Sequence, residues 1–163
     1  MAILDFDLDS LTRASDLVDA RLDWLDRDAS ASPDPDGFGI FDQMENLAGF
    51  GFVACQAYLT AKIAESDLGK TKALDRGPSH ICGCPIAALV NAAANLWKHS
   101  PEWCPDAPSG RAKKTLETLS SLGIDPHASY PAGNALDAIL TPQLPRFSNL
   151  IPFLTQWRDL LRA

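Results

Sequence analysis

A chain of 163 residues with 46% hydrophobic residues is long enough to bury one core and too apolar to stay disordered. Its net charge of −7 is local: residues 1–36 hold ten aspartates against three arginines, and acids and bases cancel over the rest. An acidic chain with no basic block is excluded as a broad, nonspecific nucleic-acid binder, leaving at most a small local site for such a ligand.

The apolar run around Phe50–Leu59 is broken by Gly51 and Gln56 and falls far short of the roughly 20 residues that span a bilayer, so no membrane contact is expected. Met1-Ala2-Ile3-Leu4-Asp5 lacks the basic start and cleavage site of a signal peptide. The expected location is therefore cytoplasmic, where Cys55, Cys82, Cys84 and Cys104 would be reduced thiols and Cys55 a small core residue.

In chain order, Leu4, Leu8, Leu11, Val18, Leu22 and Leu25 recur at helical spacing and predict an acidic amphipathic helix over residues 1–27. Asp9, Asp16, Asp19, Asp23 and Asp26 are assigned to its opposite, solvated side. Pro33, Pro35, Gly37 and Gly39 mark a linker over 28–39. A second helix is expected from Phe41 to Ser66. Gly49 and Gly51 weaken it intrinsically but would let a neighbouring helix approach closely.

Leu68–Ser79, with Lys70, Lys72 and Arg76, reads as a basic loop. Pro85 opens a third helix and Pro101 closes it, because the residue before proline disfavours helical geometry. Ser109 caps a fourth helix to Leu122, terminated by Gly123. Short helices follow over Asn134–Leu140 and Ser148–Arg162. Phe147, Ile151, Phe153 and Trp157 form either a dimer face or, as the favoured reading, the last core helix. The fold class is all-α: a single-domain bundle of four to six helices spanning 1–163, of undetermined oligomeric state.

The third helix carries the most informative pattern. At about 100° per residue, Asn91, Asn95, Lys98 and Glu102 fall within about 60° of one another, with His99 at the edge. Two amides, an ammonium, a carboxylate and an imidazole on one strip are material for a site. The bland alternative has the amides capping neighbouring helix ends and Lys98–Glu102 forming a surface pair worth about 0.2–0.5 kcal/mol. Trp97 and Trp103 are expected to pack rather than stack on a ligand.

Other chemistry finds less support. His80, Cys82 and Cys84, with His99 and Cys104 farther on, offer soft ligands for zinc, but the spacing departs from the usual paired-cysteine knuckles. No metal and no cofactor are expected. Neither a nucleophile elbow nor a phosphate-binding loop occurs, and Gly69-Lys70-Thr71 lacks the upstream glycine.

Asn95-Leu96-Trp97-Lys98-His99 resembles the Asn-x3-His half of the Arg-Asn-x3-His motif of the HEPN family (higher eukaryotes and prokaryotes nucleotide-binding), small helical bundles that include ribonuclease toxins and noncatalytic relatives in bacterial defence. In that family the arginine and histidine support metal-independent RNA cleavage. Position 94 is alanine here, so the resemblance implies Asn95 and His99 as a binding pair rather than a nuclease centre.

The leading expectation is a non-enzymatic bacterial protein of the immunity, antitoxin or defence-accessory type. It would bind a partner protein with a basic surface through Asp16, Asp19, Asp23 and Asp26, with Asn91 and Glu102 as further binding residues. The alternatives are a HEPN-like RNA-binding or ribonuclease module using Asn95, Lys98 and His99, and a zinc-stabilised bundle built on His80, Cys82, Cys84 and Cys104.

Overall fold

The computed structural model describes residues 5–103 and 109–162. Leu4 of the apolar repeat and the metal candidate Cys104 lie outside the described residues. The fold is an all-α bundle: α1 (Phe6–Ala31), α2 (Ile40–Ala64), α3 (Lys70–Leu74), α4 (Ile86–His99), α5 (Gly110–Ser120), α6 (Pro131–Leu140) and α7 (Ile151–Leu161). Single 3-10 turns at Ser100–Glu102 and Phe147–Leu150 complete it. Six of the helices have ten or more residues, and α3 is one short turn inside the expected basic loop.

The boundaries follow local chemistry. Asp5 caps α1 by accepting from the Leu8 amide at 3.1 Å. The helix continues four residues past the expected end, through Ala29 and Ala31, which are strong helix formers. It stops at Ser32, extended before Pro33. Ser109 caps α5 as expected, and Gly123 takes a positive φ of 75° just after that helix ends.

α2 and α4 form the centre. α1 packs against α2, α5 packs against α4, and α6 and α7 contact both central helices. Phe52, Cys55, Leu59, Leu89, Val90 and Leu96 are buried, and each large side chain contributes about 1.5–3 kcal/mol of transfer free energy. By length and composition α2 is apolar enough to cross a membrane, but its apolarity matches its central place, with half of the most apolar window buried in the bundle.

The glycines of α2 sit where other elements come closest. A Cβ on Gly49 would fall inside the Trp97 indole, and one on Gly51 inside the Phe147 ring. Phe147, Leu154 and Trp157 are fully buried, so the C-terminal apolar series is the last core helix. The Trp157 indole donates to the Ala73 carbonyl at 2.8 Å and ties α7 to α3.

The acidic helix departs from its expected role. Asp19 is 8% exposed, and its two carboxylate oxygens accept from the backbone amides of Phe147 and Ser148 at 2.7 and 2.9 Å. Arg146 donates to Asp23 at 2.8 Å and pairs with Asp26. Three of the four aspartates assigned to a docking face therefore hold the N-terminal side of the last core segment, and only Asp16 projects into solvent without such a partner among the described residues. At about 100° per residue Asp19 stands only about 40° from buried Ser15, on the core's margin rather than opposite it.

Candidate functional site

The polar strip of α4 meets a residue that the sequence concealed. Gln56, inside the apolar run of α2 and 7% exposed, faces it. Its Nε2 donates to Oδ1 of Asn91 at 3.0 Å and to Oδ1 of Asn95 at 2.8 Å, while its Oε1 accepts from Nζ of Lys98 at 2.5 Å. A buried amide left unpaired would cost about 1–3 kcal/mol, so this set is needed for the fold as well as available for function.

Glu102 and His99 stand apart from it. Pro101 turns the chain into a 3-10 segment, which rotates Glu102 off the α-helical strip. The expected Lys98–Glu102 pair is absent among the described residues. Glu102 instead lies 3.4 Å from Nδ1 of the half-exposed His99. Trp97 packs edge-on against Phe50 with centroids 5.0 Å apart, and Trp103 rests on the core, as packing residues.

Beyond the amides opens a cleft of about 380 Å³ between α3, α4 and α5. Leu74, Ala88 and Ala92 give it an apolar floor. Asn91 and Asn95 line one wall; Lys70 and Thr71 of α3, Asp75 just after it, and Arg111, Lys114, Thr115 and Thr118 of α5 supply the rest. None of Lys70, Arg111 and Lys114 joins an ion pair with a described residue, whereas neighbouring Lys113 pairs with Glu117 at 3.9 Å. Three cations against the single carboxylate of Asp75 make the cleft locally positive in an acidic protein. The first turn of α5 at Gly110 and Arg111 adds the positive end of a helix.

The hydrogen bonds have a direction. An ammonium only donates, so Lys98 makes Oε1 of Gln56 an acceptor, and the Gln56 amide must then donate through Nε2. Asn91 and Asn95 are thereby held with their carbonyls toward Gln56. Both asparagines line the cleft, and their Nδ2 groups have no partner among the described residues.

No family model, characterised protein or solved structure matches the chain.

The remaining candidates lie elsewhere. The thiols of Cys82 and Cys84 reach the same Ser121 hydroxyl, at 3.7 and 3.1 Å, beside the C-terminus of α5. Nδ1 of His80 accepts from the Cys82 amide at 3.2 Å within a tight turn. Among the described residues no three of His, Cys, Asp or Glu are grouped to hold a metal ion. Cys55 is fully buried; burial, with the Asp19 charge, raises its thiol to about 12 and leaves it inert as a nucleophile. The signals for the cleft that the sequence did carry were its two basic stretches, Lys70–Lys72 and Arg111–Lys114, which only the fold brings to one opening.

Proposed function

We propose that this chain is a non-enzymatic binding protein and that the α3–α4–α5 cleft holds the phosphate group of its ligand. The supporting observation is that Asn91 and Asn95 line the cleft with their carbonyls committed to Gln56, which leaves their Nδ2 groups as the side-chain atoms able to meet a ligand. A phosphate group offers three acceptor oxygens and up to two negative charges, which suit amide donors flanked by Lys70, Arg111 and Lys114 better than a single carboxylate would.

A narrower form of this proposal keeps one residue of the HEPN-like reading, Asn95, since Lys98 turns to Gln56 and His99 stands apart. It concerns RNA as the source of the phosphate. The cleft has no aromatic lining among the described residues, which suits contact with a backbone rather than base stacking.

Calorimetric titration with inorganic phosphate and with a short oligouridylate tests both. Saturable phosphate binding is expected, weakened about tenfold or more in the double variant Arg111→Gln, Lys114→Gln, a loss of at least about 1.4 kcal/mol. Both positions are solvent-facing, so thermal unfolding should be unchanged. No binding of phosphate at about 10 mM, some 2.7 kcal/mol in affinity, would overturn the reading. Oligouridylate competing with phosphate at the same site would identify RNA as the source.

A further inference from the structure

The cleft has two unlike ends, and the connections of the chain order them. Ser121, just past α5, meets the thiols of Cys82 and Cys84 just before α4, so these two packed helices run antiparallel. Arg111, in the first turn of α5, is therefore on the side of Asn95, in the second half of α4. Thr118 is level with Ala88, close to the start of α4. Asp75 caps the end of α3, and three residues later the Pro78 carbonyl accepts from the Ile86 amide at 3.0 Å. Asp75 and Thr118 thus share the end near the start of α4, and Arg111 and Asn95 share the other.

Thr115 lies between these ends on α5 and is an unsatisfied group. It is only 6% exposed, it lines the cleft, and its hydroxyl has no hydrogen-bond partner among the described residues. The hydroxyl is not sealed into the core, because Tyr58 alone among the described residues carries a side-chain oxygen that is both sealed and unpartnered. A hydroxyl with so little access to water needs a partner, and a ligand in the cleft is placed to supply one. Thr118 differs: its Oγ1 donates to the Lys114 carbonyl at 2.8 Å and keeps acceptor capacity alone.

Charge limits what the remainder of a phosphorylated ligand can be. The Asp75 carboxylate repels phosphate, so it serves another part of the ligand. Lys70, Arg111 and Lys114 carry three positive charges, and Asp75 with a doubly ionised phosphate carries three negative ones. The filled site is then neutral, which disfavours a further ammonium, carboxylate or second phosphate. Hydroxyls fit instead, since each can donate to Asp75 or Thr118 and accept from Thr115. Leu74, Ala88 and Ala92 beneath them offer an apolar floor for the C–H face of a sugar ring. A volume of about 380 Å³ is at the small end of the roughly 300–1,000 Å³ typical of small-molecule pockets, which suits one sugar phosphate better than a polymer.

We propose that the ligand of this cleft is a sugar monophosphate, an inference that rests on the reading of the cleft as a phosphate site. The phosphate lies at the Arg111 and Asn95 end, and the sugar hydroxyls lie against Asp75, Thr115 and Thr118. Asp75 and Thr115 take no part in holding the phosphate; they select the sugar.

Calorimetry on the full chain tests this with ribose 5-phosphate, with inorganic phosphate, and with butyl phosphate, which has the same charged group and no hydroxyl. Ribose 5-phosphate is expected to bind at least about tenfold more tightly than either, because butyl phosphate leaves Asp75 and Thr115 facing carbon. Asp75→Ala should weaken ribose 5-phosphate about tenfold or more yet leave inorganic phosphate bound as well or better, since a negative charge has left the cleft. Thr115→Val should likewise weaken the sugar phosphate alone. A merely structural role would weaken both ligands together. Asp75 is exposed, so its variant should unfold at an unchanged temperature and carries the test even where Thr115→Val destabilises the fold. Butyl phosphate matching ribose 5-phosphate, or Asp75→Ala leaving their ratio unchanged, overturns this inference while the phosphate site stands. Failure of all three ligands at about 10 mM overturns both. An oligouridylate binding at least about tenfold more tightly than ribose 5-phosphate also overturns it and assigns the cleft to RNA.

Discussion

Nζ of Lys98 stands 2.5 Å from Oε1 of Gln56, and this contact orients both asparagines of the strip. Replacing the amide with a carboxylate in Gln56→Glu reverses the arrangement. A carboxylate accepts only, so Asn91 and Asn95 must turn their Nδ2 groups toward residue 56 and leave their carbonyls, which repel phosphate, as the free ends. The ion pair with Lys98 keeps the variant folded. Phosphate binding should fall by about tenfold or more, equivalent to about 1.4 kcal/mol, and calorimetry on the folded variant reads this directly. Unchanged affinity would mean that the amide orientation is irrelevant to the ligand.

Gly49 and Gly51 test the closeness of the central packing. In Gly51→Ala the added methyl group must displace the Phe147 ring, which is fully buried and packed edge-on against Phe52 at 5.2 Å. Overpacking of this kind costs about 1–3 kcal/mol. Alanine also raises helix propensity by roughly 1 kcal/mol, so urea unfolding should show a net loss of up to about 2 kcal/mol. Stabilisation would show that the ring moves freely. Gly110→Ala, where nothing lies within 4 Å of the added carbon, is the stabilising control.

The contrast between these glycines and Gln56 shows what was legible in the sequence. Helical periods, the Ser109 cap and the proline stops are local signals, and the structure follows them to within a few residues. The close approach at Gly49 and Gly51 was also readable, because glycine in an apolar helix has few other uses. Gln56 was not: it interrupts an apolar run, and the residues that satisfy it lie 35 to 42 positions away. The five residues of α3 carry too few apolar side chains to show a period, and tertiary packing of Ala73 and Leu74 makes the helix. Asp19 belongs by its angle with Ser15 and Leu22 at the core's edge, although its neighbours along the chain are solvated aspartates.

Asp19 and Asp16 should therefore behave differently although three residues apart. Asp19→Ala removes both acceptors from the Phe147 and Ser148 amides at the start of the last core segment. Loss of a buried cap with charge-assisted hydrogen bonds should cost about 2 kcal/mol. Asp16→Ala, fully on the surface, should shift stability by less than about 0.5 kcal/mol. Matching denaturation midpoints for the two variants would restore Asp19 to the solvated face.

Acid should loosen the chain at a particular place, the junction of α1, α2 and α7. Asp5 lies 3.1 Å from the Lys62 ammonium and 2.8 Å from the Arg158 guanidinium. Burial alone would raise its carboxyl, but hydrogen bonds from Arg158, the Leu8 amide and Lys62 outweigh it and hold the group down at about 2. A carboxyl whose folded value lies below its ordinary 3.8 contributes stability in full above that value. The contribution is lost as pH falls from about 4 toward 2, and screening keeps it on the order of 1–2 kcal/mol. Urea unfolding between pH 5 and pH 2 should show this loss in the native chain. Asp5→Asn should be less stable at pH 5 and have a flatter acid limb, because the amide has no proton to take up. Parallel limbs in the two proteins would remove Asp5 as the source of the acid sensitivity and shift attention to the other carboxylates of the cluster, Asp7 and Glu65, which also face Lys62.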